Sequence, residues 1–280
     1  MVALILASLP LAILAATPLL LAVEGELVVQ RSGIINLGIE GMLLVAAMSA
    51  VLAANASGST SIGFLGGIAG AALAAILFGI FAITLRADQI VTGTAINLFA
   101  VGLTSFVYRE VPSLTTAPRA GTDFVMPIAW IALPIVLALL LWSTSFGLRV
   151  RACGENPEVV RAAGHSVALH RWLALMIEAI LIGLGGAYLS LVLTSGFAEN
   201  MTAGRGFIAL SIVIFGRWKL KGALLGTAIF GLAAALQYAL QASNRGLPFH
   251  VLLAVPYVVT LLILCGVAGR VRAPDSLGKR

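Results

Sequence analysis

Charge is scarce in this 280-residue chain: only 10% of its residues are Asp, Glu, Lys or Arg. That fraction is too small to solvate the surface of a soluble domain whose composition is 60% hydrophobic and whose mean hydropathy is +1.08. Histidine and cysteine are rarer still. The three histidines, His165, His170 and His250, are separated too widely to suggest a metal cluster. The two cysteines, Cys153 and Cys265, both fall on or near one predicted side of a membrane, so reduced thiols and no disulfide are expected. No G-x-x-x-x-G-K-[S/T] phosphate loop occurs anywhere, which excludes P-loop nucleotide hydrolysis by this chain. A net charge of +6 without an aromatic and basic face gives no reason to expect nucleic acid as a partner.

What the chain does have is long apolar runs. A hydrocarbon layer about 30 Å thick takes roughly 20 residues per helix, and candidate spans fall near 3–23, 34–54, 62–85, 90–107, 127–146, 172–193, 221–241 and 250–268. A shorter run, 206–216, is expected to be completed by an irregular or re-entrant outer portion. The first run has no basic flank and no cleavage site, so it is read as a mature helix. Abundant alanine and glycine suit closely packed helices rather than a barrel of alternating strands. The fold class is therefore all-α and polytopic, one transmembrane domain over 1–280 with about eight or nine helices.

Basic residues set the orientation. Alternating outward from the arginine-rich stretch 148–171 puts Arg31, Arg86, Arg149, Arg151, Arg161, Arg171, Arg217, Lys219, Lys221, Arg270, Arg272, Lys279 and Arg280 on one side, thirteen of the seventeen. Arg109, Arg119, Arg205 and Arg245 remain on the other. The richer side is cytoplasmic by the positive-inside bias, which places the N-terminus outside and the C-terminus inside.

The 148–171 stretch has an order of its own. Gly147 is expected to end one helix, Asn156-Pro157 to open a short one, and Gly164 to stop it. Val159, Val160, Ala162 and Ala163 give that short helix a small apolar face. It is either an ordinary interfacial loop helix or a coupling helix that docks on an ATPase.

Four stretches carry a family resemblance. Ser32 to Met42 (SGIINLGIEGM), Ala87 to Asn97 (ADQIVTGTAIN), Gly147 to Pro157 (GLRVRACGENP) and Ile214 to Trp218 (IFGRW), with the tail Arg270 to Pro274, are similar to the permease subunits of bacterial ABC importers. The resemblance spans nearly the whole chain. It is closest to the nucleoside branch served by basic-membrane-protein receptors, within the branched-chain amino-acid and ribose permease superfamily. It implies a type II importer fold, similar to the vitamin B12 permease but without the first of ten helices, in the bacterial plasma membrane. It also implies ATP and Mg at a separate cytoplasmic ABC ATPase, a second homologous permease, since the chain has no internal repeat, and an extracellular or periplasmic solute-binding protein. No cofactor is expected on this chain. The coupling reading then falls on Arg151, Gly154, Glu155, Asn156, Pro157, Ala162 and Gly164. A sugar or flavin-like vitamin is the alternative cargo, and a stand-alone secondary transporter the alternative class.

Polar residues inside apolar runs are the candidates for the solute path, because burying them in lipid is costly. Asn36 and Glu40, four apart, are expected to share a helical face after a break at Gly33; the alternative role is a helix–helix hydrogen bond or cap holding that break. Asp88 reads as an N-terminal helix cap. Gln89, Thr92 and Asn97 follow it, Asn97 lying about 13 Å further along. Glu178, roughly 10 Å into its span, departs from the small or hydroxyl residue usual in the resembled family. It is either a path residue or a protonated or paired structural carboxyl. Gly183, Gly185 and Gly186 read as packing glycines.

Overall fold

The computed structural model describes residues 2–121, 125–242 and 273–279. The predicted span 250–268, His250, Cys265 and nearly all of the 242–247 loop lie outside the described residues. Within them the secondary structure is helical throughout. Helix α1 spans Val2–Arg31, α2 Ile39–Ser57, α3 Thr60–Gly79, α4 Gln89–Glu110 and α5 Val125–Ser143. Two short helices follow, α6 (Ser145–Glu155) and α7 (Pro157–Ala162). Then come α8 (Val167–Tyr188, prolonged by a wide turn to Thr194), α9 (Arg205–Phe215) and α10 (Leu220–Ala242). Six of these stretches are long and apolar enough to cross a membrane.

Three boundaries differ from the sequence expectation. Helix α1 continues past residue 23 through Glu24, Glu26 and Gln30, all buried. Hydropathy ends a span at the first carboxylates, but here these face the interior of the bundle. Helix α2 begins at Ile39 rather than 34, because residues 32–38 form an irregular stretch opened by Gly33 at φ 91°. Gly147 does not end a helix. It sits in the first turn of α6, whose N-cap Thr144 accepts the Gly147 amide at 3.0 Å, and α6 folds back so tightly that a Cβ on Gly147 would lie 2.1 Å from the Leu140 carbonyl.

The remaining punctuation follows the expectation. Asn156 Oδ1 accepts the Glu158 amide, Pro157 occupies the first turn of α7, and Gly164 ends the segment at φ 79°. Asp88 caps α4 by accepting the amides of Ile90 and Val91.

Helices α1, α2 and α8 form the buried centre, while α3, α4 and α5 leave most of their surface exposed. The centre closes through glycine. A Cβ on Gly183 of α8 would meet Ile68 Cα of α3 at 2.4 Å, and one on Gly186 would meet Ala46 Cβ of α2 at 2.6 Å. Backbones that approach so closely gain dispersion contacts that lipid cannot supply.

Contacts sort the loops into two ends. At one end Arg31 donates to the Trp218 carbonyl, and the tail residues Ser276 and Gly278 bond to Gly154 and Gly33. At the other, Asn55 donates to the carbonyls of Ser113 and Thr116, Phe197 N to Leu114 O, and Arg109 pairs with Glu199 at 3.5 Å. The arginine-rich first end is assigned to the cytoplasm by the charge bias. A cysteine placed at Ser113 is therefore expected to react with an impermeant maleimide in intact cells, and one at His165 only after permeabilisation. Labelling of His165→Cys from outside would reverse the assignment.

Candidate translocation site

The site is built around two helices that start inside the bundle. After Arg31 the chain turns at Gly33 and runs back along α1: Ile34 N bonds to Val29 O, and Asn36 N approaches Glu26 Oε1 at 3.4 Å. Helix α2 therefore begins well below the cytoplasmic end. Helix α9 is about 16 Å long at 1.5 Å per residue, half of a hydrocarbon layer of about 30 Å. It starts beside α2. Glu40 joins the two, Oε1 accepting the Gly204 amide at 2.7 Å and Oε2 the Gly206 amide at 2.6 Å. A carboxylate here satisfies amides that have no intrahelical partner and meets the positive ends of two helix dipoles. The 206–216 run is thus a half-span preceded by an irregular segment, as its length predicts.

Asn36 is not on a helix, so it shares no helical face with Glu40. It lies in the irregular stretch, fully buried, its Nδ2 donating to Glu178 Oε2 at 2.8 Å and its Oδ1 accepting the Gly38 amide. Glu178 consequently faces its own chain. Beside it stands the carboxyl of Glu26, which accepts from Gln30 Nε2 at 2.7 Å, while Gln30 Oε1 accepts from the Trp218 indole at 2.6 Å. Glu26 and Gln30 are not among the candidates expected from sequence, and Trp218 enters there only as the end of the Ile214 to Trp218 stretch. The spacing of Glu26 and Gln30, one helical turn apart in an apolar run, was the available signal.

Helix α4 holds the irregular stretch from the other side. Gln89 Oε1 accepts the Ile35 amide at 2.8 Å; Asn97 donates to Leu37 O at 2.7 Å and accepts the Gly41 amide at 2.8 Å. Both ends of the Asn97 amide are thereby engaged across the start of α2. Thr92 bonds back to Asp88 O and borders an apolar groove of ≈ 380 Å³ between α3 and α4, with Phe81, Val91 and Phe99. Of the path candidates, Asn36, Glu40, Gln89, Asn97 and Glu178 thus converge on the α1–α2 break, and Thr92 faces the groove. Asn97→Leu removes bonds contributing about 1–2 kcal/mol and is expected to reduce uptake more than the yield of folded protein. Unchanged uptake kinetics would leave Asn97 a packing residue only.

The coupling candidates occupy the cytoplasmic end of the same break. Gly154 is buried against it, and a Cβ there would lie 2.3 Å from the Arg31 carbonyl oxygen. The tail fastens the contact. Ser276 Oγ donates within 2.7 Å of both the Cys153 and Gly154 carbonyls, Ser276 N donates to Gly154 O at 2.8 Å, and Gly278 N to Gly33 O at 3.0 Å. Arg151 and Glu155 belong to α6, and Asn156 and Pro157 start α7. Of the predicted apolar face Val160 alone turns inward, leaving Val159, Ala162 and Ala163 exposed beside Gly164. Burial pushes the Cys153 thiol up, against the opposing pull of Arg171 and Arg161, so it stays protonated. His165 and His170 come together, rings 6.2 Å apart, with no third metal ligand among the described residues.

Residues 8–267 match the family described as the branched-chain amino acid transport system permease component. This chain belongs to that family. It is 30% identical to the guanosine ABC transporter permease protein NupQ of Bacillus subtilis, over 96% of this chain and 94% of that one. It is 35% identical to the putative glucose ABC transporter permease protein TsgC13 of Haloferax volcanii, over 83% and 77%. Among solved structures it is similar to PsaBC from Streptococcus pneumoniae in complex with Fab, with a TM-score of 0.57 at 15% identity over 99% of this chain and 98% of that one. The last likeness concerns the fold. Together they identify an ABC-type permease component, a multi-pass membrane protein.

Proposed function

We propose that this chain is the membrane subunit of an ATP-driven importer of nucleosides in a bacterial plasma membrane. It works with a second permease, a cytoplasmic ABC ATPase that holds ATP and Mg, and an external solute-binding protein. One observation carries the mechanism: the backbone of Gly154, at the root of the exposed helix α7, is packed on Arg31 and bonded through Ser276 beside Gly33. A push on α7 by a closing ATPase therefore moves the α1–α2 break, and with it the starts of α2 and α9. Those helix starts lie at the depth where alternating access needs a movable barrier.

The nucleoside assignment draws on NupQ and on the similarity of the Ser32–Met42 and Ala87–Asn97 stretches to the nucleoside branch. TsgC13 favours a sugar as the second reading. Proteoliposomes containing the complete complex and receptor are expected to accumulate labelled guanosine or adenosine only with ATP, and excess glucose should not compete. Competition by glucose alone would favour the sugar. Accumulation by the isolated chain without ATPase would overturn the importer reading.

A further inference from the structure

The structure holds an arginine-lined cavity that the transport reading does not use. It has a volume of ≈ 440 Å³ and lies at the cytoplasmic ends of α3 and α8, lined by Arg86, Arg161 and Arg171 together with Ser166, Val167 and Ala168. Three guanidiniums on one cavity repel one another, and Arg86 and Arg161 are near enough to act on Arg171. Of the three, only Arg161 has a carboxylate partner among the described residues, its neighbour Glu158. Arg171 is bonded to the Ser32 carbonyl at 3.3 Å. Arg86 holds its place at φ 56°, a left-handed conformation that is strained for a non-glycine residue. The cavity is also closed by the start of α8. Ser166 caps the Leu169 amide, while the first amides of the helix, at Val167 and Ala168, precede its own hydrogen bonding and add the positive end of its dipole.

The surroundings specify which anion. Leu173 and Ile180, seven apart on one face of α8, and Ile76 of α3 and Ile80 in the wide turn that continues it, are all exposed. These stripes lead away from the cavity along an exposed apolar surface. Trp172 stands next to Arg171 with its indole donating to Thr84 Oγ1 at 3.3 Å, the position of an interfacial tryptophan. A phosphate with acyl chains fits both the charged cavity and the apolar stripes; a free phosphate fits the first only. We propose that this cavity binds the headgroup phosphate of an anionic phospholipid of the cytoplasmic leaflet. Because Arg161 is in the last turn of α7, the bound headgroup ties the coupling segment to α3 and α8.

The full-length chain in detergent, offered dioleoyl phosphatidylglycerol or dioleoyl phosphatidylcholine at equal concentration, tests this by native mass spectrometry, independently of any transport assay. Preferential retention of phosphatidylglycerol is expected. It should fall about fivefold for each arginine removed in Arg86→Gln and Arg161→Gln, with an unchanged thermal melt, and should persist in Arg149→Gln, a control on the same side. Equal retention of the two lipids, or the same loss in Arg149→Gln, would overturn the proposal. Displacement of the lipid by excess inorganic phosphate would overturn its acyl-chain part and leave a soluble anion as the ligand. If the isolated chain shows no preference and the substitutions instead release the ATPase from the complete complex, the arginines belong to the subunit contact and the lipid site is refuted.

Discussion

Glu40→Ala is expected to abolish uptake and to lower the melting temperature of the purified permease by several degrees. The substitution strips both bonded acceptors from the amides of Gly204 and Gly206, inside a bundle where Glu40 itself is only 7% exposed. Hydrogen bonds to a charged group contribute about 1.5–3 kcal/mol each, and a buried donor left unpaired costs about 1–3 kcal/mol. No larger side chain can approach from the other side to compensate, since a Cβ on Gly206 would already lie 2.6 Å from the Glu40 amide nitrogen. Glu40→Gln keeps one acceptor and should fall between wild type and alanine in both measurements. Wild-type melting and uptake in Glu40→Ala would show that the start of α9 is held by something else.

Gly154→Val should separate ATP hydrolysis from transport. The new side chain must enter the space of the Arg31 carbonyl, where the obstacle is backbone and cannot rotate away. Overpacking such a contact costs about 1–3 kcal/mol, enough to shift α6 and α7 relative to the α1–α2 break. Uptake by the complete complex is expected to drop by about tenfold or more, while the variant still inserts, assembles and supports ATP hydrolysis. The decisive quantity is solute moved per ATP hydrolysed. If that ratio stays at the wild-type value, Gly154 contributes packing and not coupling. Gly154→Ala, which introduces the smallest side chain with the same clash, should reproduce the direction of the effect.

Hydropathy, charge and capping residues were legible because each acts locally. The long helices among the described residues, the half-length of 206–216, the cap at Asp88 and the Asn156-Pro157 start of α7 all depend on a residue and its near neighbours in sequence. The misplaced boundaries share one cause. Hydropathy treats Glu24, Glu26 and Gln30 as an exit from the membrane, whereas all three are buried in the bundle and Glu26 and Gln30 bond to each other and onward to Trp218. Gly147 misleads in the other direction: its small size serves the close return of α6 onto α5, not a helix stop.

The site shows the same division. Sequence alone determined that Asn36, Glu40, Gln89, Asn97 and Glu178 are polar groups in apolar runs, and that the arginine-rich stretch between long spans carries a short exposed helix. It also determined the membrane class, which follows from summed hydropathy. Only the tertiary structure decided that Asn36 lies off the helix and meets Glu178 across 142 positions of chain, that Glu40 caps α9 and not its own neighbours, and that Ser276 fastens Gly154 beside Gly33. Those pairings depend on where distant segments cross, and the crossing points are set by backbone approach at glycines such as Gly183 and Gly186. A glycine in a sequence states that close approach is permitted; which backbone takes up the space is settled by the packing of the whole bundle.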